Sequence, residues 1–247
     1  MKTNKTAILI HGGSMKGAFA AGVVYGLSKI GIQTADIIIG TGSSVPTSAY
    51  FVSKQFESIK NIWVNELSTK KFISYINLLT GEPIFSLRYL IDVVFKRKYP
   101  LDIKSIIKSN SLFLIPLYNY LEGKVEFINN HQEKTESDFW EILQASMTIH
   151  NKHIIWDSPL EKFVDADLDP FALYRQEIFP KDWNVLEVMN DKDLGNTFKR
   201  WIGIRFFRFF QSRNFPEGVK QKLKIRDELT KSGLELFNKF KTEYQPV

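Results

Sequence analysis

The sequence has 247 residues, with 33 Lys and Arg against 27 Asp and Glu, a formal charge of +6, and no cysteine. The missing thiols exclude disulfides, thiolate zinc sites and cysteine nucleophiles. A hydrophobic content of 44% and a charged content of 24% exclude a disordered or fibrous chain. The length suits one α/β domain spanning residues 1–247.

No stretch approaches the roughly 18 consecutive apolar residues of a membrane span. Near the amino terminus, Lys2 and Lys5 precede Ala7-Ile8-Leu9-Ile10. This apolar run is too short for a signal core and reads as a buried first strand.

Thr6 to Ile10 is the first predicted strand, followed by the turn His11-Gly12-Gly13-Ser14. From Lys16 to Lys29 the residues Phe19, Val23, Val24 and Leu27 recur at helical spacing, and Gly31 stops the helix. Asp36 to Ile39 is a second apolar strand. Gly40-Thr41-Gly42-Ser43-Ser44 then turns into a helix from Pro46 to Lys54. Strand, turn and helix, repeated, open a parallel sheet with crossover helices. Phe56 to Glu66 reads as a helix, and Ser111 to Tyr118 and Lys124 to Asn129 as strands. Asn129 to Ser137 is a polar connection. A helix through Ala145 follows, capped by Ser137 or Asp138. Asn184 to Met189 is the last predicted strand, and Val219 to Tyr244 is a long amphipathic helix.

Both glycine turns follow a strand and open a helix. In the first, His11 to Gly17, backbone N–H groups converge at a helix amino terminus, where a phosphate or a developing oxyanion is stabilised. A phosphate-binding P-loop needs Gly-Lys followed by Ser or Thr, whereas here Gly17 follows Lys16. A dinucleotide fingerprint lacks its middle glycine at Ser14 and the acidic residue ending the second strand. In α/β hydrolytic folds the second place holds a serine in G-x-S-x-G. Gly42 stands at that serine's position.

Together these features resemble the patatin-like phospholipases, in their bacterial branch. Gly12-Gly13-Ser14-Met15-Lys16-Gly17 matches the first family motif, and Phe163-Val164-Asp165-Ala166-Asp167 resembles the third, D-G-G/A. Ala145 to Ile149, Leu79 to Phe85, Tyr99 to Asp102 and Asp169-Pro170 are also similar to family stretches. The resemblance covers most of residues 5 to 175, and residues 176–247 add a strand and helices. It implies a three-layer α/β fold with a mainly parallel central sheet flanked by helices. It also implies a lipid acyl hydrolase working through a serine–aspartate dyad. Carried over residue by residue, Asp165 is the general base and Gly12, Gly13 and Ser14 the oxyanion nest. Gly42 occupies the nucleophile position, and Ala166 replaces the glycine after the aspartate. The expected function is an acyl hydrolase family member with a degraded nucleophile elbow. The alternative is a non-catalytic lipid-binding or regulatory pseudoenzyme.

A shifted register, Gly42-Ser43-Ser44-Val45-Pro46, makes Ser44 an alternative nucleophile, and Ser43 a further one. Both serines also suit helix capping. His150, His153 and Asp157 lack a metal-binding pattern, and Asp165, Asp167 and Asp169 lack the glycine and distal glutamate of a calcium loop. No cofactor and no metal are expected. Trp201 to Arg213 interleaves aromatics with arginines, which fits an anionic membrane surface, a core element with snorkelling arginines, or stacking on nucleic acid. Expected partners are a lipid or acyl-ester substrate and an anionic membrane through Trp201–Arg213, with no nucleic acid. The expected location is cytoplasmic with peripheral membrane contact.

Overall fold

A computed structural model describes residues 5–67, 69–74, 85–132, 135–148, 159–160, 162–166 and 183–188. The expectations for Trp201–Arg213, Val219–Tyr244, His150, His153, Asp167 and Asp169 fall outside these residues.

The described strands are β1 (Thr6–Ile10), β2 (Ile37–Gly40), β3 (Leu112–Asn119), β4 (Lys124–Asn129), β5 (Phe163–Asp165) and β6 (Asn184–Val188). They form one mixed sheet in the order β4-β3-β2-β1-β6, with β5 paired to β3. β1 pairs in parallel with β2 and β6, and β2 with β3; β4 and β5 run antiparallel to β3. The chain is therefore α/β with a mostly parallel sheet.

The helices are α1 (Gly17–Lys29), α2 (Val45–Val52), α3 (Phe56–Asn61), α4 (Tyr89–Lys98), α5 (Ile103–Ile107) and α6 (Glu136–Ser146). Side-chain alternation along each strand assigns the sheet's faces. Ile8 pairs with Ile38 and Ile38 with Phe113, and all three join Ile10, Ile115, Leu117 and Val188 in one core. The same core takes Ala18, Ala21, Val24 and Leu27 from α1, and Val45, Ala49, Tyr50 and Val52 from α2. Right-handed crossovers from β1 to β2 to β3 place α1 and α2 on this common face. Every residue of α2 is buried, which explains its lack of a polar stripe. Burial also pushes the Tyr50 phenol far above its ordinary value; its hydroxyl donates to the Tyr99 carbonyl.

Several details differ from the sequence expectations. The predicted cap of α6 was Ser137 or Asp138, but Thr135 is the N-cap. Its Oγ1 accepts from the Asp138 N–H at 3.2 Å, and the Asp138 carboxylate accepts from the Thr135 N–H at 2.8 Å, forming a capping box. The predicted helix over Phe56 to Glu66 changes character at Ile62 and continues as a π-helix to Glu66. Its Leu67 N–H reaches back five residues to the Ile62 carbonyl at 3.2 Å. α4 is also π-helical and was not anticipated, nor was the three-residue strand β5.

Candidate functional site

At the carboxyl ends of β1 and β2 the two glycine turns lie against each other. Gly13 has φ 132°, and Ser14 follows at φ 55°, in the left-handed region that glycine enters without steric penalty. In the second turn Thr41 is extended at φ −114°, Gly42 turns sharply at φ 49°, and Gly42–Ser44 form a single 3₁₀ turn before α2. Gly42 is thus the left-handed residue of this turn. The intervening 3₁₀ turn brings Pro46 into the first turn of α2, where its missing N–H loses no helical bond.

Three hydroxyls of the second turn bond to the backbone of the first. Thr41 Oγ1 accepts from the Gly12 N–H at 2.7 Å. Ser43 Oγ donates to the Ser14 carbonyl at 3.0 Å, and Ser44 Oγ to the His11 carbonyl at 2.7 Å. Ser44 is 0% exposed. Its hydroxyl therefore ties the turns together and faces away from solvent. The Gly12 N–H is taken by Thr41, leaving the N–H groups of Gly13 and Ser14 as the nest's donors. Among the described residues, no acceptor lies against either one.

Two further glycines are required by close approach. A Cβ on Gly17 would lie 2.9 Å from the Trp63 ring and 3.0 Å from Ser43 Oγ. A Cβ on Gly40 would collide with Ser48, whose Cβ would be 2.9 Å away, and would press on the Ser44 carbonyl at 3.1 Å. Trp63 sits on the π-helical turn, 5% exposed, with its indole N–H donating to Thr47 Oγ1 at 3.1 Å. The wider turn fixes this ring where α1 begins.

Asp165 reaches the same neighbourhood through sheet register. Ile39 pairs with Leu114, so one step on Gly40 stands level with Ile115. β5 occupies the same edge of β3 beyond the end of β2, running the opposite way, with Asp165 opposite Leu117. Asp165 and Gly40 are therefore separated by two residues of β3, about 7 Å. Gly40, Ile115, Leu117 and Asp165 share one face, the face on which α2 packs. Asp165 is buried, 7% exposed, and its N–H donates to the Thr148 carbonyl at 2.9 Å. β5 thus aligns the end bearing Asp165 with the turn at Gly42, 123 residues away in sequence. Ala166, which follows, is fully buried beside Val125.

His11 is 4% exposed, and its Nε2 lies 2.6 Å from Glu187 Oε1 on β6. The pair bridges β1 and β6 where the connections change direction along the sheet, the place where open α/β sheets form a crevice. Thr41, Trp63 and Glu187 had not been singled out from sequence. Among the described residues, no group of three or more His, Asp or Glu side chains has the arrangement of a metal site. No protein-family model matches the chain, and no curated protein matches it.

Proposed function

We propose that this chain is a patatin-like α/β protein that holds a lipid or other acyl-ester group over the carboxyl ends of β1 and β2 without cleaving it. In a hydrolase of this design, a serine Oγ attacks the ester carbonyl and passes its proton to an aspartate. N–H donors receive the negative charge that develops on the carbonyl oxygen. Asp165 stands in the base's position, and Gly13 and Ser14 supply donors in the oxyanion nest begun by Gly12. The attacking atom is missing.

The observation that carries this reading is the apex at Gly42, φ 49°, flanked by hydroxyls already bound to the first turn. The turn keeps the shape that presents a nucleophile while presenting only hydrogen. Hydrolysis through Ser44 would require its hydroxyl to leave the His11 carbonyl and emerge from a site that is 0% exposed. Ser43 would likewise have to release the Ser14 carbonyl. A non-hydrolytic lipid-binding or regulatory role therefore fits the geometry better than acyl transfer. Peripheral contact with an anionic membrane through Trp201–Arg213 belongs to the same reading. No helix among the described residues is long and apolar enough to cross a membrane.

The test combines a fluorophosphonate serine probe with a fluorescent short-chain phospholipid. The parent is expected to bind the phospholipid and remain unlabelled, and Gly42→Ser to become labelled. Labelling of the parent at Ser43 or Ser44 would restore the hydrolase reading. Absence of phospholipid binding by the parent would remove the lipid.

A further inference from the structure

α4 and the turn after Glu66 lie side by side and are joined at both ends. At one end the Ser86 N–H donates to the Phe72 carbonyl at 2.9 Å, Ile73 bridges to Phe85, and the Phe72 and Phe85 rings are 5.6 Å apart. At the other end Glu66, 6% exposed, accepts from Lys98 Nζ at 2.8 Å and from the Tyr89 hydroxyl at 2.8 Å. The Glu66 carbonyl accepts from the Thr69 N–H and hydroxyl at 3.1 and 2.9 Å, folding the chain tightly there. Lys70 and Lys71 are held in this turn, alongside α4 between its two fastenings.

α4 contributes Arg88 at its start, 94% exposed, and Lys96-Arg97-Lys98 at its end. Lys96 points to Asp92 at 2.9 Å and to the Trp140 ring, while Lys98 points to Glu66. Arg97, between them on the helix, therefore faces outward. Lys70, Lys71 and Arg97 are exposed, and among the described residues none has an acidic partner. Asp92 is shared by Arg88 at 3.8 Å and Lys96 at 2.9 Å, and Glu66 is taken by Lys98, so Lys70, Lys71 and Arg97 are the cations left over on this surface. Val64, 41% exposed, adds an apolar side chain from the π-helical turn that also carries Trp63.

We infer that Lys70, Lys71 and Arg97 form a docking surface for an anionic phospholipid bilayer. The commitment to this occupant rests on the lipid-binding reading above and on charge complementarity. Unpaired cations beside an exposed aliphatic side chain suit lipid phosphates over acyl chains. Trp63 joins the surface to the crevice, because its π-helical turn lies between Glu66 and the contact with Gly17 and Ser43. A bilayer held here lies against the element that walls the two glycine turns.

The experiment is sedimentation of the full chain with phosphatidylcholine vesicles with and without phosphatidylglycerol. The parent is compared with the triple variant Lys70→Gln, Lys71→Gln, Arg97→Gln. A control of equal charge change, Lys5→Gln, Lys54→Gln, Lys108→Gln, lies at the amino ends of the strands. The parent should bind the anionic vesicles, less so as salt rises. The first triple should weaken binding roughly a hundredfold, the loss expected for three cations at an anionic surface, and the control should change it little. Equal losses in both triples, no binding by the parent, equal binding to pure phosphatidylcholine, or preference for a nucleic acid would overturn the proposal. Binding of a monomeric short-chain phospholipid reads the crevice alone. Its loss with vesicle binding intact would reject the crevice reading and leave the surface standing.

Discussion

The two glycine turns solve the same backbone problem with opposite residues. After β1, a serine occupies a left-handed position, Ser14 at φ 55°, where glycine would sit without strain. After β2, a glycine occupies the apex, Gly42 at φ 49°, where a hydrolase keeps a strained serine. The first turn thus carries a side chain that its conformation disfavours, and the second carries glycine at its left-handed residue. The shape of the second turn is imposed by residues around it. Thr41, Ser43 and Ser44 bind it to the first turn, and Gly17 and Gly40 allow the helices to approach.

That contrast can be broken from either side. The largest expected effect is at Gly40, which has no surplus space. Gly40→Ala should destabilise the protein by about 3 kcal/mol, because Ser48 and the Ser44 carbonyl must both move. Denaturant unfolding checks this, and a loss within error would show that α2 can shift away from β2. Next is the clasp between the turns. Ser44→Ala removes the donor to the buried His11 carbonyl and should cost about 2 kcal/mol. A neutral result would mean that this hydroxyl is free to serve another purpose. The smallest effect has the opposite sign. Ser14→Gly should stabilise the fold by about 1 kcal/mol by relieving the left-handed serine. Destabilisation would show that the Ser14 side chain has a role that outweighs its strain.

β1 and β2 were legible in sequence because they are continuous apolar runs ended by glycine turns. β1 agrees with its predicted bounds and β2 is displaced by one residue; the antiparallel β4 also agrees with its predicted bounds. The glycine turn between β2 and α2 was also legible, since a Gly-rich run follows an apolar strand and precedes a helical pattern. β5 was not. Three residues carry too little periodicity, and their pairing partners at Leu117 to Asn119 lie far back in the chain. The expectation for Asp165 therefore came from a resembling motif, and the register of β5 gives its place in the sheet, opposite Leu117. The π-helical turns were hidden as well. A bond to the fifth residue differs from an α-helical bond by one position, and the residues that hold it, such as Glu66 with Tyr89 and Lys98, are distant in sequence. The hydroxyl clasp was partly visible: both serines were expected as caps, but each instead donates to the opposite turn.

On the reading proposed above, the turn at Gly42 keeps the shape of an elbow without a nucleophile. Hydrolysis of a short-chain nitrophenyl ester by the parent, Gly42→Ser and Ser44→Ala tests it most directly. No turnover above background is expected for the parent and Ser44→Ala. Gly42→Ser should show weak turnover, since it restores the hydroxyl while Ser14 and Ala166 remain in place of glycine. Robust parental hydrolysis abolished by Ser44→Ala would contradict the account and make Ser44 the nucleophile.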